Sequence, residues 1–472
     1  MKKKYVIILI GFLVTVTMFS CKKYLNIDPP RTGLTRETVF NSNATANAAM
    51  LDIYYDMSQI GSFAGGGPFS ISFWGSLLSD EQINYYISTP TLTAEFQQFN
   101  DNALQANNSN ILSLWTSLYK CIYKSNAVLE GLSSSSNVTQ LFKTQLEGEA
   151  KFIRAFCHFY LVNLWGDVPL ALTTDYKTNQ NISRTETTKV YEQIVLDLKD
   201  AQNLLTDAYS FSNNERVRAN KGAATALLAR VYLYMSDWTN AEMQSSILIN
   251  NTSQYNLLTN MTNVFHTTSS EIIWQLWSQL APNDRGTFRV VSTPAYGALR
   301  SQLATSFDAS DSRKTTWVNL NSSGYYNARK YNFSQSNPPT QYSTVMRLAE
   351  QYLIRAEART KLGKVTGSNS AEMDINAIRN RAGLVNTTAN TQVDMLLAIE
   401  QERRWELFTE WGHRWFDLKR TGKIDEVMTI ATPLKSNGAV QWRPYQALYP
   451  LPLGDLIINN VQNPYLNQNS GY

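Results

Sequence analysis

Cysteine is scarce in this 472-residue chain: Cys21, Cys121 and Cys157 are the whole supply, with no CxxC pair among them. Histidine is as rare, and His158, His266 and His413 stand too far apart to form a metal-ligand motif. Charged residues make up only 17% of the chain, with 42 Lys+Arg facing 38 Asp+Glu. Three of those cations, Lys2 to Lys4, sit at the extreme N-terminus; without them the balance is 39 against 38, or +1. A near-neutral chain with no basic block has no electrostatic footprint for nucleic acid. The same balance points away from highly anionic polysaccharides. HExxH, GxSxG and EF-hand patterns are absent, and Gly65-Gly66-Gly67 lacks the Lys-Ser/Thr of a phosphate loop. The glycine triplet reads instead as a flexible loop.

What the chain does have is rings: 25 Tyr, 19 Phe and 11 Trp, within a 43% apolar composition. That is ample for a large core and excludes general disorder. Asn, Gln, Ser and Thr dominate the polar remainder.

The N-terminus joins a basic stub to an uncharged, mostly apolar run. Lys2-Lys3-Lys4 precede Tyr5 to Ser20, and Cys21 follows directly after Met18-Phe19-Ser20. The run is shorter than the roughly 20 residues needed to cross a bilayer. It reads as a secretory leader over 1–20, with Cys21 in the place of a lipidated lipoprotein cysteine. Residues 21–35, with Pro29-Pro30, read as an extended tether. Multiple acyl chains on Cys21 suffice for stable anchoring. Cys121 and Cys157 lie in helical apolar patterns and read as small buried hydrophobes.

Beyond the tether the dominant period is helical. Phe152, Phe156, Phe159/Tyr160 and Leu164 recur three to four apart, and Gly166-Asp167-Val168-Pro169 stops the run. Gly222 to Leu248, broken at Met235-Ser236-Asp237, reads as a tetratricopeptide-type helix pair. Arg347 to Gly363 and Ile375 to Ala382 form another. Gly166 and Ser236 are 70 apart, close to two periods of ~34, whereas Gly363 comes 127 later, so the array carries an insertion. Residues 60–110 and 250–345 are rich in Gly, Ser, Thr, Asn and Pro and read as long loops with short strands. The expectation is one domain over 36–472, predominantly all-α, with helices as frame and loops as working surface.

Several motifs in order give the chain a family resemblance. They are Ser79-Asp80-Glu81, Glu149-Ala150-Lys151-Phe152-Ile153-Arg154-Ala155-Phe156, Leu164-Trp165-Gly166-Asp167-Val168-Pro169, Arg355-Ala356-Glu357-Ala358, Glu402-Arg403-Arg404-Trp405-Glu406-Leu407 and Arg414-Trp415-Phe416-Asp417-Leu418-Lys419-Arg420. With Cys21 ahead of them, the chain resembles the SusD/RagB family of outer-membrane nutrient-binding lipoproteins. The resemblance implies a SusD-like fold on four degenerate tetratricopeptide-type helix pairs, with inserted loops bearing a shallow aromatic oligosaccharide site. It implies a SusC-type TonB-dependent transporter as partner, capture rather than catalysis, no cofactor, and an outer-membrane, lipid-anchored location facing the cell exterior. Lys22-Lys23 stand where surface-exported members often carry acids, so the face occupied stays open.

A sugar ring presents one C–H face and a hydroxylated rim, so its binder needs a flat ring plus amide or charged partners. The resemblance places a stacking aromatic just after the Asp-Glu pair, where Tyr85 and Tyr86 fall, with Asp80 or Asn84 supporting hydroxyls. Trp74 reads as core. In the middle of the chain Trp274, Trp277, Arg285, Arg289 and Tyr296 form a second candidate cluster, and Trp277 and Tyr296 are its chosen ligand residues. On a strand Trp274 and Trp277 would face opposite sides, so at most one lines a site. Trp317, Tyr325 and Tyr326 are looser candidates.

The stretch Glu400 to Arg420 reads as one helix, with Glu402, Glu406 and Glu410 on one face and Trp405, Phe408, Trp411 and Trp415 opposite. Arg403, Arg404, Arg414 and Arg420 are at hand to pair those acids, and His413 reads as a packing residue. Two other readings are an exported glycan hydrolase, which needs two carboxylates about 5–9.5 Å apart in a cleft, and a scaffold that binds peptide or protein alone.

Overall fold

The computed structural model describes residues 36–59, 61–65, 69–86, 89–277, 296–331, 339–458 and 461–472. The leader, Cys21, the tether, Gly66, Gly67, Arg285 and Arg289 lie outside them. No helix among the described residues is long and apolar enough to cross a membrane.

The frame is a stack of antiparallel helices. An N-terminal helix α1 (Asn43–Ser58) leads to α2 (Ile71–Leu78), strand β1 (Gln82–Asn84) and α3 (Pro90–Asn100). Eight helices then follow: α4 (Ser109–Ser134), α5 (Gln140–Trp165), α6 (Thr187–Leu204), α7 (Lys221–Tyr234), α8 (Trp238–Asn250), α9 (Leu348–Lys361), α10 (Ala371–Arg381) and α11 (Gln392–Glu406), with α7/α8 and α9/α10 packed as the two pairs the sequence suggests. Each of α4 to α10 packs on the next, so the apolar stripe of each helix is buried mainly by its neighbours. The expected stops coincide with left-handed backbone: φ is 74° at Gly166, 59° at Ser236 and 78° at Gly363. Buried ion pairs cross between helices, Arg154–Asp197 from α5 to α6 and Arg230–Glu350 from α7 to α9.

The insertion between α8 and α9 holds strands β2 (Ile272–Leu276), β3 (Gly297–Leu299), β4 (Val318–Leu320), β5 (Tyr326–Ala328) and β6 (Ser343–Arg347). One four-stranded sheet has the order β1-β3-β5-β4, and β2 pairs with β6. Helices α12 (His413–Arg420) and α13 (Ile424–Lys435) close the C-terminal side.

Two expectations need correction. Residues 60–110 hold α2 and α3 rather than loop alone. Their Ser, Thr and Pro are capping chemistry: Ser70 accepts from the Phe73 N–H, Thr89 accepts from the Leu92 N–H, and Pro90 opens the first turn of α3. The stretch 400–420 is two helices, not one. It breaks where Thr409, Trp411 and Gly412 take positive φ, which carries Glu410 out of helical register with Glu402 and Glu406. The break is a close crossing. A Cβ at Gly75 would lie 2.5 Å from the Gly412 Cα, so α2 and the start of α12 meet backbone to backbone. Cys121 and Cys157 are free and buried.

Candidate functional site

Strand β1 and the loop insertion meet in the four-stranded sheet, and that pairing builds an aromatic surface. β1 and β3 are antiparallel with Asn84 opposite Gly297, and the Tyr85 N–H donates to the Tyr296 carbonyl at 2.8 Å. Residues more than 200 positions apart in sequence are thereby held in one place. Tyr86 stacks on Phe96 (centroids 4.1 Å apart, planes 28°) and on Tyr296 (5.3 Å, 10°), so it is the middle ring of three. Phe96 is fully buried and anchors the stack, while Tyr296 is half-buried at its outer end. Tyr85 meets Tyr325 edge to face at 5.1 Å. Burial pushes the Tyr85 hydroxyl pKa up, so it stays a neutral donor.

Asn84 fixes this surface from below. Its side-chain oxygen accepts from the Tyr86 N–H, its amide donates to Gln97 Oε1 at 3.0 Å, and its own N–H donates to Asn100 Oδ1. Gln97 in turn donates to Asp101 at 2.8 Å. Tyr85, Tyr86, Asn84 and Tyr296 are thus brought together, with Tyr325 beside them.

The other chosen residues lie elsewhere. Asp80 carries its carboxylate to Arg414 and Arg404, each at 2.8 Å, and these arginines hold its pKa down to about 2 against the opposing effect of burial. Glu81, its neighbour, turns into the core, accepts from the Ser76 hydroxyl and the Thr409 N–H, and is pushed up to about 7 by burial. Trp277, 44% exposed, lines a different cleft of about 410 Å³ with Tyr54, Tyr55 and Phe211. Trp274 on the opposite side of the strand is fully buried against Phe152 and Phe156. Trp74 and Trp317 are core as well.

The glutamates of 402–410 are buried and ion-paired, though not by the neighbours in sequence that seemed at hand. Arg313 reaches Glu402 and Glu406, Arg347 reaches Glu271, Glu406 and Glu410, and Lys330 reaches Glu410. Burial alone would raise the Glu406 pKa, but Arg381, Arg347 and Arg313 hold it well below the usual carboxylate range. Arg403 and Arg420 instead pair Asp417, and Arg420 also pairs Glu357. Nε2 of buried His413 lies 3.9 Å from Glu350, and burial pushes its pKa down to about 4.

Phe96 and Gln97 went unnoticed in the sequence. Their signal was Thr89-Pro90, a helix start hidden in a polar stretch. No cluster of His, Cys, Asp and Glu able to hold a metal ion occurs among the described residues.

A solenoid of helix pairs with an aromatic surface on its inserted sheet defines a binding scaffold. Comparison with known proteins gives the same class. Residues 78–233 match a SusD-like family described as starch-binding and associating with the outer membrane, and 238–472 match the SusD family. The chain belongs to the SusD/RagB family, a glycan-binding, outer-membrane-associated family. SusD-like protein P25 of Formosa agariphila is 26% identical, with 99% of each chain covered. Among solved structures, a SusD superfamily protein of Parabacteroides distasonis superposes with TM-score 0.77 at 20% identity, covering 93% of this chain and all of that one. A laminarin-binding SusD-like protein superposes at 0.73 with 23% identity, covering 92% and 100%.

Proposed function

We propose that this protein is a lipid-anchored outer-membrane receptor that captures an oligosaccharide and passes it to a SusC-type TonB-dependent transporter. The observation that carries the reading is the tyrosine surface on the inserted sheet. With Tyr86 stacked on Phe96 and Tyr296, we assign the partly exposed Tyr296 as the ring that meets the sugar, with Tyr85 and Tyr325 as the adjoining wall. Asn84 and Tyr86 position those rings from behind. The other contributions assigned from sequence are secondary: Asp80 holds arginines and Trp277 faces another cleft.

Capture rather than hydrolysis is the expected outcome at this site. Asp80 and Glu81 diverge into an ion pair and the core, and Glu402, Glu406 and Glu410 are neutralised by arginine and lysine, so none of these carboxylates is poised across the rings. The laminarin-binding and surface glycan-binding relatives support the ligand class. Lipidation of Cys21, exterior display and the transporter partner rest on the leader pattern and the family.

The test is calorimetric titration of a 22–472 chain with a panel of neutral and acidic oligosaccharides, followed by chromatography of the sugar. Millimolar-to-micromolar binding with intact sugar is expected. Cleaved sugar would establish a hydrolase, and silence across the panel would leave a peptide or protein ligand. Co-purification with a transporter barrel from native membranes tests the partner.

A further inference from the structure

Tyr296 and Arg300 flank the three residues of β3 at the two ends. Four positions apart on extended chain, they lie on the same side of the strand, about 13 Å from one another. Arg300 follows the strand into a cleft of about 290 Å³ that it shares with Asp80, Arg404, Arg414 and Glu426. Its backbone N–H is fixed by the Glu81 carbonyl at 2.8 Å, yet its guanidinium donates to no described residue, and Nη1 is buried. Arg404 gives only Nη2 to Asp80, which leaves its buried Nε without an acceptor. Asp80 is already occupied by Arg404 and Arg414, and Glu400 takes Arg414 Nη1. Within the cleft three arginines face two carboxylates, Asp80 and Glu426, and Arg300 Nη1 and Arg404 Nε are left without acceptors. Burial pushes the Arg300 pKa down, while Asp80 and Tyr85 act to raise it, which places the side chain within electrostatic reach of both the cleft and the tyrosines. The far wall is apolar, with Ile430 of α13 66% exposed.

A half-buried guanidinium without a partner is costly, and a planar anion is what its fork of N–H donors fits. We infer that this cleft is an anion subsite continuous with the tyrosine surface, so that the captured oligosaccharide carries an acidic group, a carboxylate or a sulfate ester, bound by Arg300 and Arg404. The inference rests on the glycan-binding reading of the tyrosines. Whole-chain charge conceals such a site, because a local excess of one cation disappears in a balance of 42 against 38.

The test follows the arginine guanidinium ¹⁵N–¹H signals at constant ionic strength. The probes are methyl β-D-glucuronide, inorganic sulfate and neutral methyl β-D-glucoside, added to the parent chain, Arg300→Gln and Tyr296→Ala. Saturable shifts from the glucuronide or from sulfate are expected, with none from the glucoside. Arg300→Gln should weaken that response at least about tenfold while melting as the parent does, since its guanidinium bonds to no described residue. A response to glucuronide alone assigns a carboxylate sugar, and one to sulfate alone assigns a sulfate ester. An equal response to the glucoside, a response unchanged in Arg300→Gln, or no response to either anion would overturn the subsite. Tyr296→Ala separates the two readings. If it abolishes oligosaccharide binding while the anions prove inert, the tyrosine surface stands without the subsite; if the anion response persists and Tyr296→Ala leaves oligosaccharide binding unaltered, the tyrosine reading fails instead.

Discussion

Two regions of this molecule compete for attention as a site, and they differ in what their polar groups have left to offer. Around Glu402, Glu406 and Glu410 the density of acids and bases resembles catalytic chemistry. Every one of those acids is buried, however, and faces an arginine or lysine from another element: Arg313, Arg347, Arg381 or Lys330. The tyrosine surface is nearly neutral and far less dense, but Tyr85, Tyr296 and Tyr325 are half-exposed on the inserted sheet. Charge-rich chemistry in which every acid faces a buried cation is architecture, because removing one partner leaves an unbalanced buried charge. Bonding capacity that remains open at a half-buried ring is what a ligand can use.

Breaking the charged lattice gives the largest expected effect. Arg347→Leu takes one buried cation from Glu271, Glu406 and Glu410, leaving them to Arg381, Arg313 and Lys330, and should cost about 3 kcal/mol in urea unfolding. If that variant kept its stability and lost glycan binding, the two regions would have been assigned the wrong way round. Asp80→Asn comes next, at about 2–3 kcal/mol near pH 7, because it removes a carboxylate held at a pKa of about 2. Asp80 titrates near 3.8 when unfolded, so its contribution is complete above that value and disappears as pH falls toward 2. The difference in melting temperature between parent and variant should therefore close over that window. Trp277→Ala should have the smallest effect, with oligosaccharide affinity altered by less than about 0.5 kcal/mol, since its cleft is shared with Tyr54 and Tyr55 rather than the tyrosine surface. A larger loss in titration would extend the ligand across both clefts.

Much of the frame was legible in the chain, because helical period and left-handed stops are local signals. Gly166, Ser236 and Gly363 mark helix ends in sequence and in structure. Trp274 and Trp277 separated as strand alternation requires, one buried and one exposed. Less visible were features that depend on distant pairing. Tyr86 reads as a free stacking ring until β1 meets β3 and Tyr296 covers it. The partners of Glu406 come from positions 313, 347 and 381, which no helical spacing could indicate. Arg300 carries no motif at all, and only the fold shows that its guanidinium is left over.

The most direct test of the account is calorimetric titration of the parent and Tyr296→Ala with whichever oligosaccharide the panel shows to bind. The account predicts a loss of about 1–2 kcal/mol, roughly five- to thirtyfold in affinity, with the chain still folding cooperatively. Equal affinity for the two chains would contradict it and move the glycan site away from the tyrosine surface.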